Sequence, residues 1–398
     1  MMLVLTINAG SSSLKTALYQ RQGAHWQPLS QAHISGLTQA EPQCQWQEHE
    51  RVVKEPLPWL GQQPQSERAK AALDHLFSHW RSKGWLAQVQ VVGHRVVHGG
   101  QRYQQPIRVT KAVLAELRTF NSLAPLHQPY NLQLLELAAE ALPGVAQVAC
   151  FDTMFHAGMP KVATRFAIPR ELTEQGILRY GFHGLSYAYV YQQLQQLSPR
   201  QAQGKVIICH LGAGASMCAI KNGQSIASTM GFTAVEGLPM GSRSGSLDPG
   251  VLVHLMREHG WDAQRLEQFL YKECGWFGMS GGISSEMKTL RASQDPRAEE
   301  AIEVFIYRCV REIGSLVAAL QGLDALVFTG GVGEHDAQTR AEILQQLGWL
   351  GVQTDELANQ QHQLHLHTES SRVGVWVIPT NEELMLVQHA SACIPSAG

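Results

Sequence analysis

The sequence lacks the features typical of secreted, membrane or nucleic-acid-binding proteins. Charged residues make up only 16% of its 398 residues and the formal net charge is −2, so no overall field favours nucleic acid or an anionic membrane. The seven cysteines contain no CxxC spacing, and their odd number and apolar surroundings favour buried free thiols. The apolar run at residues 1–7 is too short for a signal peptide or a membrane span, so we expect a cytoplasmic protein.

Short apolar runs that end in glycine-rich or polar corners alternate with segments of helical spacing. Examples are the predicted strands Lys205–His210 and Ala325–Thr329 and the predicted helix Ala298–Leu320. This alternation predicts an α/β fold, and the chain length suits two domains. We place residues 1–150 with 384–398 in one lobe and residues 151–383 in the other.

The two halves of the chain contain similar segments. Gly10 follows one predicted strand and Gly212 follows another, and each turn consists of small residues and leads into a return strand. Backbone N–H groups at such turns can approach a phosphate closely. Each turn taken alone is also typical of an ordinary β-hairpin.

Polar residues surround the first of these turns. The hydroxyls of Ser11 and Ser13 and the ammonium of Lys15 can hold a polyphosphate, although a serine run is also typical of a solvated loop. The amide oxygen of Asn8 suits Mg²⁺.

Arg95 lies within the apolar run Val91–Val97, so we expect it to be buried. A buried arginine needs an anionic partner, and the segment leaves open whether that partner is an aspartate or a bound carboxylate.

Two further polar residues stand at informative positions. Asp152 directly follows a predicted strand, where α/β active sites form, but a helix cap is also a common use of aspartate. His183 lies between Phe182 and a glycine, and it suits either a charge-stabilising role or a structural one.

The remaining candidates lie in glycine-rich loops and at a strand end. Arg243 stands in the loop Gly241–Gly245, where it can bind an anion. Residues Gly331–Glu334 follow a predicted strand in a pattern that suits a nucleotide but lacks the lysine of a Walker motif. Glu382 and Glu383 end the last predicted strand, where a solvated helix start is the usual explanation.

Taken together, these segments closely resemble the acetate kinase family over essentially the whole chain. The segments that carry the resemblance are Asn8–Lys15, Gly93–Gly100, Phe151–Thr153, Tyr180–Gly184, His210–Gly212, Met230–Thr233, Gly241–Gly245 and Pro379–Glu383. The resemblance implies two duplicated ribonuclease H-like, or actin-like, ATPase domains around a central cleft, and a homodimer. It implies direct transfer of the γ-phosphoryl group of ATP to acetate, which yields acetyl phosphate and ADP.

The resemblance also implies roles for individual residues. Asn8 and Glu382 would position Mg²⁺, with Mn²⁺ as an alternative. Asp152, His183 and Arg243 would be catalytic. The short-chain carboxylate would contact Arg95, Val97, Leu126 and Phe182. The nucleotide would contact Ser11, Ser13, Lys15, His210, Leu211, Gly212, Ala213, Gly214, Glu286, Met287, Lys288, Gly331, Val332, Gly333, Glu334 and His335.

This sequence departs from the family pattern at several positions. Ala213 stands where asparagine is usual, Ala234 where proline is usual, and Leu185 and Tyr187 where threonine and histidine are usual. Glu286 replaces an aspartate in the segment that contacts adenosine. Because several departures lie near the expected nucleotide, we hypothesise an altered nucleotide affinity or choice.

Two other functions remain open from the sequence. The chain could be a propionate or butyrate kinase with the same chemistry and a larger pocket, because one methylene in an apolar pocket is worth only about 1–3 kcal/mol. It could also be a catalytically weak relative that binds nucleotide and acts through partners.

Overall fold

The computed structural model describes residues 2–10 and 12–394. The chain divides into two compact units, Met1–Met154 with Asn381–Gly398, and Phe155–Thr380. These boundaries lie within four residues of those placed from the sequence, and they assign Asp152 and Glu382 to the first unit rather than the second.

The first unit contains a sheet and several helices, labelled here in chain order. Its strands are β1 (Leu3–Ala9), β2 (Ser13–Gln22), β3 (His25–Ser35), β4 (Gln43–Glu48), β5 (Arg51–Pro56), β6 (Val89–Val96), β7 (Ile107–Arg108) and β8 (Ala146–Phe151). Its α-helices are α1 (Pro58–Gly61), α2 (Gln65–Ser82), α3 (Lys111–Thr119), α4 (Gln128–Ala141) and the last helix, α17 (Glu382–Ala392).

The sheet of the first unit has the strand order β5-β4-β3-β2-β1-β6-β8-β7. Strands β1 to β5 form an antiparallel meander, whereas β6 and β8 run parallel to β1. All seven residues of β1 are buried, as are all six of β8, which is typical of strands covered on both faces. Within the antiparallel meander, the sequence predicted only the hairpin of β1 and β2, because β3 to β5 are polar on one face and have weak strand signals.

The core of the first unit packs the sheet against α2 and α4. The fully buried Trp80 and Phe77 of α2 and Leu134 of α4 lie in one apolar cluster with Leu5 of β1. On α17, Leu386 is fully buried, and its carbonyl oxygen would lie 3.0 Å from a Cβ atom added to Gly93. Close approach of α17 to β6 therefore depends on glycine at this position.

The second unit contains the strands β9 (Lys205–Leu211), β10 (Ala215–Lys221), β11 (Gln224–Ser228), β12 (Ala325–Thr329) and β13 (Gly374–Val377). Its α-helices are α5 (Lys161–Thr164), α6 (Arg170–Glu174), α7 (Gly184–Leu197), α8 (Pro199–Ala202), α9 (Pro249–His259), α10 (Ala263–Gln268), α11 (Gly275–Met279), α12 (Met287–Ala292), α13 (Pro296–Leu320), α14 (Gly330–His335), α15 (Ala337–Gln345) and α16 (Glu356–Gln360). The predicted long helix is α13, which Asp295 caps by accepting a hydrogen bond from the backbone N–H of Arg297.

The second sheet repeats the topology of the first. Its order is β11-β10-β9-β12-β13, in which β9, β10 and β11 are antiparallel and β12 and β13 run parallel to β9. The same pattern is present in β3-β2-β1-β6-β8. Gly10 follows β1 and Gly212 follows β9, so the two similar segments occupy equivalent places, as the sequence predicted.

Two further predictions can be checked among the described residues. All seven cysteines are free, and five of them are buried, while Cys274 and Cys393 are partly exposed. Across residues 2–10 and 12–394, the structure shows no helix long and apolar enough to cross a membrane.

Candidate active site

The first unit brings Asn8, Arg95 and Asp152 together at one edge of its sheet. The three residues stand at or just beyond the carboxyl ends of β1, β6 and β8, which are parallel neighbours. Side chains at this edge of a parallel sheet converge, and ligands bind there in open α/β sheets. The first two candidates come from separate strands and the third from the turn after β8, so their meeting is a consequence of the topology.

Arg95 forms a forked ion pair with Asp152. Its Nε lies 2.9 Å from Oδ1 and its Nη2 lies 2.6 Å from Oδ2, while Nη1 donates to the Asn8 amide oxygen at 3.2 Å. Burial raises the pKa of Asp152, and the guanidinium opposes that shift. A guanidinium has five N–H donors, and these described partners use three of them. The other two N–H donors can bind a carboxylate. Arg95 can therefore pair with an aspartate and bind a substrate carboxylate at the same time, which are the two partners that the sequence left open.

Glu382 and Glu383 begin α17 beside Asn8. The Asn8 amide nitrogen donates to Oε2 of Glu382 at 3.2 Å and to Oε1 of Glu383 at 3.4 Å. Burial raises the pKa of Glu383, and the charge of Glu382 raises it further. Two neighbouring carboxylates suit Mg²⁺, whereas the amide oxygen of Asn8 accepts from Arg95 and its nitrogen faces the carboxylates. The carboxylates therefore fit such a metal, and Glu383 is a candidate that the sequence analysis did not assign.

The loop after β6 is held by polar side chains of α4. The backbone N–H of Val97 donates to Oδ1 of Asn131 at 3.1 Å, and that of His98 donates to Oε1 of Gln128 at 3.0 Å. Both side chains are buried. The sequence analysis missed this support, because a polar residue inside a helix looks like a solvated one until the fold buries it.

The other predicted residues of the first unit differ in exposure. Val97 is buried and Leu126 is partly exposed, while Lys15 is exposed and pairs with Asn8 across β1 and β2. Ser13 begins β2, and its carbonyl accepts from the Gly10 N–H at 2.9 Å, which closes the turn. Ser11 lies outside the described residues.

In the second unit, a strained turn positions Phe182 and His183. Gly181 has a φ of 74°, and His183 has the left-handed φ of 58° at the N-terminus of α7. The buried His156 lies under this turn, with Nε2 2.9 Å from the Phe182 carbonyl oxygen and Nδ1 2.9 Å from the Ser225 hydroxyl. Burial lowers the pKa of His156 to about 4, so the ring is neutral near pH 7. His156 has no local sequence signal, and the sequence analysis missed it.

The imidazole of His183 has defined neighbours. Its Nδ1 lies 2.8 Å from the Ser216 hydroxyl, which also contacts the Tyr187 hydroxyl. The ring stacks on His210 with the centroids 4.3 Å apart, and Nδ1 of His210 lies 2.8 Å from the Ser186 hydroxyl. Of the two histidines, only His183 was assigned a catalytic role from the sequence.

The glycine-rich turn after β9 lies beside His183 and Arg243. A Cβ atom added to Gly214 would be 3.4 Å from Nε2 of His183 and 3.8 Å from Nη1 of Arg243. Arg243 donates through Nη1 to the Ala234 carbonyl oxygen at 3.0 Å. A cation, an imidazole and a bare backbone turn thus converge, which is an arrangement that can bind a phosphate.

The predicted nucleotide residues after β12 lie in helix α14, close to the same turn. A Cβ atom added to Gly212 would be 3.8 Å from the backbone nitrogen of Gly331. The Glu334 carboxylate accepts from the backbone N–H groups of Gly330 and Thr380 at 2.8 and 3.1 Å, so it organises the loop. Gly331 and His335 are exposed, Val332 is partly exposed, and Gly333 is buried.

The segment at the start of α12 presents a mixed surface. Glu286 and Lys288 are exposed, whereas only 4% of Met287 is accessible, so its side chain packs in the core. In the turn after β9, Leu211 is buried, Ala213 is exposed, and His210, Gly212 and Gly214 are partly exposed.

Comparison with known proteins shows similarity over nearly the whole chain. The model of the acetokinase family matches residues 3–388. The acetate kinase of Rhodopseudomonas palustris (strain TIE-1) is 47% identical, with 97% of each chain covered. The structure of a propionate kinase from Francisella tularensis has a TM-score of 0.90 at 32% identity and covers 99% of this chain and 100% of its own. Porphyromonas gingivalis acetate kinase has a TM-score of 0.86 at 32% identity, with the same coverage. These matches confirm the fold class predicted from the sequence.

Proposed function

The chain belongs to the acetokinase family, and from this premise we propose that it reversibly transfers the γ-phosphoryl group of ATP to acetate, forming acetyl phosphate and ADP. The observation that carries the assignment to individual residues is the Arg95–Asp152 pair. Together with the Nη1 contact to Asn8, it leaves two guanidinium N–H donors for a carboxylate at the sheet edge where ligands bind.

In this proposal the first unit handles the acyl substrate. Arg95 binds the carboxylate of acetate, and Asp152 orients both the guanidinium of Arg95 and the acetate. Val97 and Leu126 offer apolar contacts to the methyl group. Phe182, which the sequence analysis predicts as an acyl contact, belongs to the second unit. The forked ion pair fixes the orientation of the guanidinium. A carboxylate bound to it therefore presents its attacking oxygen to phosphorus in one defined position.

The second unit handles the nucleotide and the transferring group. The turn of residues 210–214 binds the phosphates, while residues 286–288 and 331–335 bind the nucleoside. His183 and Arg243 stabilise the negative charge that spreads over the equatorial oxygens in the transition state. Their convergence on Gly214 supports this role.

Glu382 and Glu383, beside Asn8, would hold Mg²⁺, with Mn²⁺ as an alternative. When bound, the metal neutralises charge on the nucleotide phosphates. The raised pKa of Glu383 beside Glu382 supports this assignment, because a divalent cation relieves the repulsion between the two carboxylates.

The test is a hydroxylamine trap for acyl phosphate with purified protein, Mg-ATP and acetate, propionate or butyrate in parallel. The proposal requires a signal with acetate that exceeds the others and is lost in Arg243→Ala. Replacing ATP by GTP tests whether Ala213 and Glu286 alter nucleotide choice. Absence of signal with every acid and nucleotide would contradict the proposal and favour a catalytically weak relative.

A propionate kinase is the second candidate within the same family. Ala234 stands where the family usually has proline, and one similar solved structure is a propionate kinase. The backbone carbonyl of Ala234 also accepts a hydrogen bond from Arg243. A change at residue 234 can therefore alter both the width of the acyl pocket and the placement of the arginine. A higher kcat/KM for propionate than for acetate would select this candidate.

We also propose a cytoplasmic homodimer. The described residues of α9 include none that is buried, yet Val251, Val253 and Met256 are apolar and exposed. A second copy of the chain would cover this face. Light scattering should give twice the chain mass, and Val253→Glu should lower it; a monomeric wild type would contradict the proposal.

A further inference from the structure

A chain of hydroxyl groups leads from the core of the second unit to His183. Tyr187 is fully buried on α7, and among the described residues Ser216 is the only hydrogen-bond partner of its phenol. Ser216 is also fully buried, and its hydroxyl has two described partners, Tyr187 and Nδ1 of His183. The mechanism proposed above assigns no role to Tyr187 or Ser216.

The number of partners fixes the direction of the protons. A buried O–H group that donates to nothing costs about 1–3 kcal/mol, so the phenol donates to the Ser216 oxygen. The Ser216 proton then has one remaining acceptor, Nδ1 of His183. An Nδ1 that accepts a proton donor carries no hydrogen of its own, so the hydrogen of the neutral ring is on Nε2.

We propose that Tyr187 is a positioning residue that acts through Ser216 to hold His183 as the neutral tautomer with its hydrogen on Nε2. This inference rests on the proposed function only in giving His183 its catalytic role. Nε2 is the nitrogen beside the Gly214 turn. The hydrogen-bonded chain of Tyr187 and Ser216 therefore directs the Nε2–H group of His183 toward the transferring phosphoryl group, and Arg243 supplies the positive charge.

The other groups around His183 are compatible with a neutral ring. His210 stacks on it from β9, Arg243 lies near the same glycine, and the neutral His156 lies under the turn before it. Imidazolium at this position would face the Arg243 cation. Burial raises the pKa of Tyr187 well above its ordinary value, so the phenol keeps the proton that starts the chain.

Tyr187 is also a feature of this chain rather than of the family pattern, which usually has histidine at this position. A histidine would titrate in the range in which His183 must stay neutral, whereas a phenol does not. Tyr187 therefore makes the state of His183 less dependent on pH.

The test compares wild type with Tyr187→Phe and with Tyr191→Phe. Tyr191 is a matched control, because it is another buried tyrosine of α7, and its phenol donates to the Ala202 carbonyl oxygen at 2.9 Å rather than to the hydroxyl of Ser216. Nitrogen-15 NMR of histidine-labelled protein reports the tautomer of His183, whose resonances are identified by their loss in His183→Gln. We expect the Nε2–H form in wild type and in Tyr191→Phe.

In Tyr187→Phe, the Ser216 oxygen becomes free to accept from Nδ1–H, so the tautomers should mix. The titration of His183 should move up by about one pH unit, the equivalent of one hydrogen bond. We expect kcat to fall about five-fold on the same grounds, with little change in the KM for the carboxylate. Thermal melting checks that the variant folds, and Ser216→Ala, which breaks the chain at its centre, should give the same NMR change.

An unchanged His183 tautomer and titration in both variants would overturn the proposal, as would an equal change in Tyr191→Phe. The NMR result does not need turnover. If wild type shows no acyl phosphate but the tautomer change is seen, the proposed function fails and the positioning role stands.

Discussion

At the residue scale, the side chain that carries the most consequences is Arg95. It forms an ion pair with Asp152, whose side chain is 3% exposed, and it donates a hydrogen bond to the Asn8 amide oxygen. Removing one member of a buried pair leaves the other charge uncompensated. Arg95 therefore combines a structural role with its proposed role in binding the carboxylate.

Arg95→Ala should raise the KM for the carboxylate far more than the KM for the nucleotide. It should also lower the free energy of unfolding by about 3 kcal/mol, because Asp152 loses its partner. Steady-state kinetics and urea denaturation measure the two effects. Arg118→Ala, which removes an exposed ion pair with Glu136, should change stability by less than about 1 kcal/mol. Equal effects of the two variants would contradict the assignment.

Glu383 offers a prediction on pH. Burial and Glu382 raise its folded pKa above the unfolded value, so ionisation costs stability as pH rises beyond about 4, the unfolded range. Glu383→Gln should therefore raise the melting temperature of the metal-free protein at pH 7, by roughly 2–4 °C, and have little effect near pH 4.

The same variant should lose most of the thermal stabilisation that Mg²⁺ gives the wild type. Glu50→Gln, at an exposed position of the same unit, is the matched control and should leave that stabilisation intact. If Mg²⁺ stabilised Glu383→Gln as strongly as wild type, Glu383 would not be a metal ligand.

At the scale of elements, the turn before α7 determines where Phe182 and His183 lie. A Cβ atom added to Gly181 would stand 2.6 Å from the His156 ring, in a backbone conformation that already disfavours side chains. Gly181→Ala should destabilise the protein by about 2–4 kcal/mol and reduce kcat, because the turn must move.

Gly84→Ala is the control for this prediction. Gly84 has a similar φ of 70°, but nothing lies within 4 Å of its added Cβ atom. It should cost only about 1 kcal/mol and leave kcat unchanged. Chemical denaturation and kinetics distinguish the two variants, and equal costs would mean that contact with His156 is unimportant.

At the scale of the whole molecule, the chain leaves the first unit after residue 154 and returns to it at residue 381. The returning helix α17 packs on β1 and β6 and carries Glu382 and Glu383 at its start. The first unit is thus completed by the last segment of the sequence, which supplies both core side chains and the proposed metal ligands.

Leu386→Ala should lower stability by about 2–5 kcal/mol, because this fully buried side chain leaves a cavity beside β6. Hydrogen exchange should show the loss of protection mainly in residues 3–151 and much less in β9–β13. Leu384→Ala, at a half-buried position of the same helix, should have a smaller effect. Uniform loss of protection in both sheets would contradict this picture.

The sequence by itself determined the α/β class, the duplicated strand–turn–strand pattern and the family. These features depend on local apolar periodicity and on short motifs, which a linear sequence preserves. It also placed Asp152 directly after a predicted strand, where α/β active sites form.

Only the tertiary structure decided which groups meet. The sequence could not choose between Asp152 and a bound anion as the partner of Arg95, and it gave no signal for His156, Ser216 or the buried Gln128. These side chains are fixed by contacts between segments that are distant in sequence, and their polar character alone predicts exposure. Burial removes water as a hydrogen-bond partner, so each buried polar group needs a partner inside the protein. These pairings determine the arrangement of the side chains in the sites described above.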